Sequence, residues 1–216
     1  MQTRFFISAA LNLIAFMLTA VGLCIMLKGI GNDGSLSADS LSSIKYFTVQ
    51  SNLLFGIVAG IFAVCQLIYR SPEKLPHPLY LIKYIATVGV AITMLTVVLF
   101  LAPVVVKSYP PLFRGANLYF HLLVPLVGIV SFCLFEKSAE ITLPQTFLGL
   151  IPFILYAVYY TANALTHSEN GKVPPQYDWY YFLANGADKA LPVLLIMLFS
   201  ATAVCFGLRF LNRLRS

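Results

Sequence analysis

The 216 residues are 59% hydrophobic and only 10% charged, with a mean hydropathy of +0.85. A soluble domain carries about 25% charged residues, so this composition excludes a water-soluble globular protein. The formal charge of +6 does not indicate a nucleic-acid partner, because the basic residues stand at the ends of apolar runs, where they anchor to lipid headgroups.

Residues 5–27 form the first apolar run. It is too long for the core of a signal peptide and no small-residue cleavage pattern follows it, so a retained span is expected. About 20 residues are needed to cross a hydrocarbon core of about 30 Å. A chain inside that core satisfies its own backbone by forming a helix. Residues 28–43 are rich in Gly, Asp and Ser, a loop signature. A second run follows at 44–69, then a loop with Pro72, Pro76 and Pro78, and a third run at 80–102. Pro103, Pro110 and Pro111 mark the next connection, before a fourth run at 117–135. The fifth, 145–166, carries Tyr156, Tyr159, Tyr160, Thr161 and Asn163 near its C-terminal end, which predicts that this end faces protein or a wet cavity. The connection 167–187 holds Pro174, Pro175 and the aromatic cluster Trp179, Tyr180, Tyr181 and Phe182, and the sixth run is 188–208. The expected fold is all-α, a single membrane domain over 1–216 with six transmembrane helices.

An even number of spans puts both termini on one side. That side collects Arg4, Arg70, Lys74, Lys83, Lys137, Arg209, Arg213 and Arg215, eight basic residues, against the six of Lys28, Lys45, Lys107, Arg114, Lys172 and Lys189. The positive-inside rule then places both termini in the cytoplasm, with the plasma (inner) membrane as the expected location. Cys24, Cys65, Cys133 and Cys205 all fall in apolar stretches without metal or redox spacing. No metal and no cofactor are expected.

Polar residues inside spans are expensive and mark candidate sites. Thr48, Ser51 and Asn52 lie at i, i+3 and i+4, on one helix face, and so do Asn117 and His121 at i and i+4. His121 is the one histidine set clearly within a span; His77 lies in a Pro-rich loop and His167 at a span end. Thr48 and His121 each stand four residues past the expected start of an even-numbered span, about 6 Å deep at 1.5 Å per residue. Both therefore occupy one shallow layer on the non-cytoplasmic side. A hydroxyl beside an imidazole is the minimal nucleophile–base pair for acyl transfer, and the amide of Asn52 or Asn117 is placed to donate to the oxyanion, with Ser51 in support. The bland alternative is a threonine bonded to its own backbone, with Ser51 and Asn52 joining helices.

The segments Tyr46-Phe47-Thr48-Val49-Gln50-Ser51-Asn52-Leu53 and Asn117-Leu118-Tyr119-Phe120-His121 resemble the androgen-induced family of six-span membrane hydrolases. That family includes a regulator of tissue factor pathway inhibitor and many bacterial relatives. Trp179-Tyr180-Tyr181-Phe182-Leu183 is similar to a family aromatic segment, although Tyr181 stands where a Pro commonly follows the Tyr. The resemblance implies a threonine hydrolase of fatty acid esters of hydroxy fatty acids, with Thr48 as nucleophile and His121 as base. Tyr46, Trp179, Tyr180 and Tyr181 are then expected to line the site of the lipid ester. The alternatives are a small transporter, which calls for charges deep within spans where the charged residues are read at span ends, and a structural or partner-binding six-span protein. A single intramembrane histidine excludes a two-haem carrier.

Overall fold

The computed structural model describes residues 2–30, 40–71, 74–136, 140–168, 172–180, 182 and 187–214. Six helices in it are long and apolar enough to cross a membrane: span 1 Thr3–Lys28, span 2 Phe47–Tyr69, span 3 His77–Val104, span 4 Ala116–Phe135, span 5 Leu143–Thr166 and span 6 Leu194–Arg213. The fold is all-α and the protein is a polytopic membrane protein. Large apolar side chains point outward along the spans, among them Met17, Ile57, Ile68, Leu99, Val158 and Phe199. That arrangement suits hydrocarbon and not water.

The ends of the spans differ from the sequence expectation by a few residues. Span 2 begins at Phe47 and not at residue 44, because Leu41–Lys45 is a separate 3-10 turn capped by the Ser40 hydroxyl. Tyr46 then takes an extended conformation before the α-helix opens. Span 5 opens on a capping box in which the Thr142 hydroxyl accepts from Gln145 N–H and the Gln145 side chain accepts from Thr142 N–H. It satisfies two amides that a helix start leaves unpaired. Span 6 runs on to Arg213.

Span 4 is the least regular. Its residues Tyr119–Leu123 form a π-helical turn, with Val124 N–H bonded to the Tyr119 carbonyl. Pro125 supplies the cause: its ring clashes with the carbonyl four residues earlier, that of His121, and has no N–H to offer it. The helix widens by one residue to accommodate this. Span 4 packs on span 2 through Gly128, where a Cβ would come within 2.5 Å of Phe55 Cζ. Spans 3, 5 and 6 meet at Tyr84, whose hydroxyl lies 3.0 Å from the Thr146 carbonyl and 3.1 Å from that of Cys205. All four cysteines are free.

One charge assignment is corrected. Lys83, counted above among the residues anchored to headgroups, is fully buried inside the bundle. It lies on the face of span 3 that also carries the buried Ala86, Thr87 and Val90, the i+3, i+4 and i+7 positions. Its ammonium stands 3.5 Å from Glu136 Oε1 and 4.1 Å from the centre of the Phe55 ring. The charged residues are therefore not all at the surface of the membrane.

Candidate active site

Thr48 is the second residue of span 2, in its first turn, and is partly buried. It therefore stands shallower than the depth of four residues expected from the apolar run. This position removes the ordinary partner of an intramembrane threonine. Thr19, Thr87 and Thr146 each donate to the carbonyl four residues earlier. For Thr48 that residue is Ile44, which precedes the helix and whose carbonyl accepts from Gln50 Nε2 at 3.0 Å. Among the described hydrogen bonds, none uses the Thr48 hydroxyl.

The first-turn amides of span 2 are individually placed. Phe47 N–H donates to the Tyr180 hydroxyl at 3.1 Å. Val49 and Gln50 N–H both turn to the Tyr46 carbonyl. Helix starts leave such donors without intrahelical partners, and here the Thr48 N–H is left with no described one.

His121 sits on the π-helical turn and is 6% exposed. Its Nδ1 lies 2.7 Å from the carbonyl of Leu112. A carbonyl only accepts, so Nδ1 carries a proton, and in the neutral imidazole the lone pair is then on Nε2. Leu112 belongs to the short 3-10 turn Pro110–Phe113, which folds back on span 4. Gly115, at φ 51°, reverses the chain between that turn and the helix, in a left-handed conformation that favours glycine.

Asn52 joins the two halves. Its side-chain amide donates to the Thr48 carbonyl at 2.7 Å and to the Phe120 carbonyl at 2.9 Å. One NH2 group thus ties the backbone of the threonine to that of the residue before the histidine. Both acceptors are carbonyls, so the orientation of the amide is fixed and both of its hydrogens are committed. The oxyanion-donor role expected of Asn52 has no free hydrogen in this conformation. Its Oδ1 is buried without a partner among the described residues.

The remaining expected residues separate. The Ser51 hydroxyl lies 3.0 Å from that of Thr93 on span 3 and 3.2 Å from the Thr48 carbonyl, so it joins spans 2 and 3. Asn117 is buried near the start of span 4. No hydrogen bond joins the Thr48 hydroxyl to the His121 ring among those described. Tyr180 and Trp179 do cover the entrance of span 2. Tyr180 bonds Phe47 as above and packs edge-on against Tyr46 at 6.0 Å between ring centres. Trp179 Nε1 donates to the Tyr156 hydroxyl at 3.0 Å, and that hydroxyl donates to the Lys45 carbonyl at 2.8 Å. Burial raises the pKa of Tyr180 above that of an ordinary phenol, so it stays a neutral hydroxyl. Tyr181 lies outside the described residues. Among those residues no cluster of His, Cys, Asp or Glu suits a metal ion.

Sequence reasoning missed Leu112, whose backbone orients the imidazole. The signal was present in Pro110-Pro111, a tight turn shortly before the span. It also missed the polar cluster at the opposite end of the bundle, where Lys83 and Glu136 meet Asn12, Gln66 and Ser131.

No protein family, curated protein or solved structure matches this chain.

Proposed function

We propose that the protein is a membrane-embedded lipid-ester hydrolase in which Thr48 is the nucleophile and His121 the general base. The observation that carries the reading is the Asn52 amide bridge, which holds the backbone of Thr48 and that of Phe120, next to His121, on one side chain. The Thr48 hydroxyl, which has no hydrogen bond among the described residues, and the Nδ1 proton held by the Leu112 carbonyl support it. His121 Nε2 takes the proton of the Thr48 hydroxyl as the oxygen attacks the ester carbonyl, and returns it to the departing alcohol. Water then repeats the sequence on the acyl-enzyme. Nucleophile and base close to hydrogen-bond distance when substrate is bound, as catalytic pairs commonly do. The oxyanion is held by the Thr48 N–H, a donor in the first turn of a helix where the dipole also favours negative charge. The shallow position suits an ester linkage near the interface whose chains lie in the core. Tyr46, Trp179 and Tyr180 form the wall beside it.

The resemblance to the androgen-induced hydrolases points to fatty acid esters of hydroxy fatty acids as the substrate class. The basic tail Arg209, Arg213 and Arg215 favours cytoplasmic termini in the plasma membrane, with the site toward the outer leaflet. Purified wild type should hydrolyse a long-chain ester, and Thr48→Ala and His121→Ala should each abolish turnover while leaving helix content unchanged. The double variant should be little worse than either single one, because nucleophile and base act as a unit. Turnover near wild type in Thr48→Ala contradicts the mechanism.

A small transporter is favoured by one observation, the buried Lys83–Glu136 pair. Solute flux in liposomes, unchanged by Thr48→Ala and lost in Glu136→Gln, would select it.

A further inference from the structure

A second polar pole occupies the other end of the bundle. On span 2, Gln66 stands eighteen residues beyond Thr48, about 27 Å along the helix. There Glu136 Oε1 accepts from Asn12 Nδ2 at 2.9 Å and from the Ser131 hydroxyl at 2.7 Å, with the Lys83 ammonium at 3.5 Å. Gln66 Nε2 donates to the Ser8 hydroxyl at 2.9 Å. Asn212 of span 6 donates to the Phe132 carbonyl at 2.7 Å and to that of Glu136 at 2.9 Å. Five spans thus converge on one ion pair whose two side chains have no exposed area.

The cluster does not satisfy itself. Lys83 Nζ, Glu136 Oε2 and Asn12 Oδ1 are each buried without a hydrogen-bond partner among the described residues. A buried ion pair is tolerated only when its remaining donors and acceptors are bonded, and an unmade buried hydrogen bond costs about 1–3 kcal/mol. Moving the proton from Lys83 to Glu136 removes the charges but leaves three polar groups to be bonded, one of them an amine buried beside the Phe55 ring. Turning Asn12 over does not help either, because its Nδ2 already donates to the Ser8 carbonyl at 2.9 Å and to Glu136. Swinging Lys83 onto Oε2 satisfies two atoms and leaves Asn12 Oδ1 unbonded. The three orphans comprise one donor and two acceptors, all on residues grouped around Glu136 Oε1. A water molecule supplies the complement, two hydrogens to give and a lone pair to accept, and buried waters typically make about three such bonds.

We propose that this pole is an internal hydration site, with ordered water held by Lys83 Nζ, Glu136 Oε2 and Asn12 Oδ1. The water keeps the charged pair intact inside the bundle and does not depend on the hydrolase reading.

Two measurements on the full chain test it. A crystal structure from a lipid phase at about 2 Å should show water density at hydrogen-bond distance, about 2.6–3.2 Å, from Lys83 Nζ and Glu136 Oε2. Direct closure of Lys83 on Oε2 without such density overturns the site. Hydroxyl-radical footprinting in nanodiscs gives a second readout, since radicals formed from bound water oxidise neighbouring side chains that bulk solvent never reaches. Phe55, fully buried beneath the Lys83 ammonium, should be labelled in the wild type. The label should be lost in the double variant Lys83→Met with Glu136→Leu, which fills the pole with apolar groups. An unlabelled Phe55 in the wild type, or equal labelling in both proteins, contradicts the proposal.

Discussion

An amide that gives both hydrogens to carbonyls on two different helices fixes their relative height, and Asn52 does this for spans 2 and 4. Asn52→Leu leaves two carbonyls without their common donor. The Thr48 carbonyl keeps the Ser51 hydroxyl, so the variant should lower the thermal midpoint in detergent by the equivalent of about 1–3 kcal/mol for the one buried acceptor, the Phe120 carbonyl, that loses its side-chain donor, and reduce ester turnover together with stability. Ser51→Ala should be mild, because the Thr93 hydroxyl can still donate to the Gly89 carbonyl, 3.4 Å away. Thermal melts of the two variants side by side check the contrast, and equal losses would count against the bridging role. Thr48 and His121 stand out in the sequence as candidates because they are polar residues near the ends of apolar runs. The commitment of the Asn52 amide was not, since it depends on which carbonyl of a helix some 68 positions away comes within reach.

At the scale of the element, the six runs were legible and their ends were not. Apolarity over about 20 residues reports a span, but the break at Tyr46 comes from a serine cap and a 3-10 turn that hydropathy does not register. The π-helical turn under His121 has a visible cause in Pro125, yet its consequence for the imidazole appears only with the packing. Pro125→Ala removes the clash and allows the turn to contract to α geometry, where each residue advances by about 100°. His121 would then swing away from Leu112. Ester turnover should fall at least tenfold with helix content unchanged by circular dichroism; full activity would show that the widened turn is dispensable. Tyr180→Phe removes the acceptor for Phe47 N–H. It should cost about 1 kcal/mol, read as a lower melting temperature, by exposing the start of span 2.

For the whole molecule, two polar poles stand at opposite ends of an apolar bundle, one shallow and beneath an aromatic cover, one sealed and ionic. The count of basic residues across the membrane changes with the burial of Lys83, which leaves seven against six, so the orientation rests chiefly on the arginine tail. Arg209 Nε donates to the Ile141 carbonyl at 2.9 Å and Arg213 pairs with Glu140, fixing the end of span 6 beside the start of span 5. Reporter fusions after Lys74 and after Ser216 should both give cytoplasmic signals, and a signal from the far side at either position would reverse the assignment of the site to the outer leaflet. Lys83 escaped the sequence reading because a lysine six residues from a helix start looks like a headgroup anchor until its partner, fifty-three positions on, is seen beside it. The central claim, that Thr48 is an activated nucleophile, is tested most directly by covalent capture. The purified protein is incubated with a fluorophosphonate probe, digested and analysed by mass spectrometry. The account predicts an adduct on the peptide containing Thr48, lost in Thr48→Ala and strongly reduced in His121→Ala. Absence of labelling in the wild type, with ester turnover intact, or labelling that persists in Thr48→Ala, would contradict it.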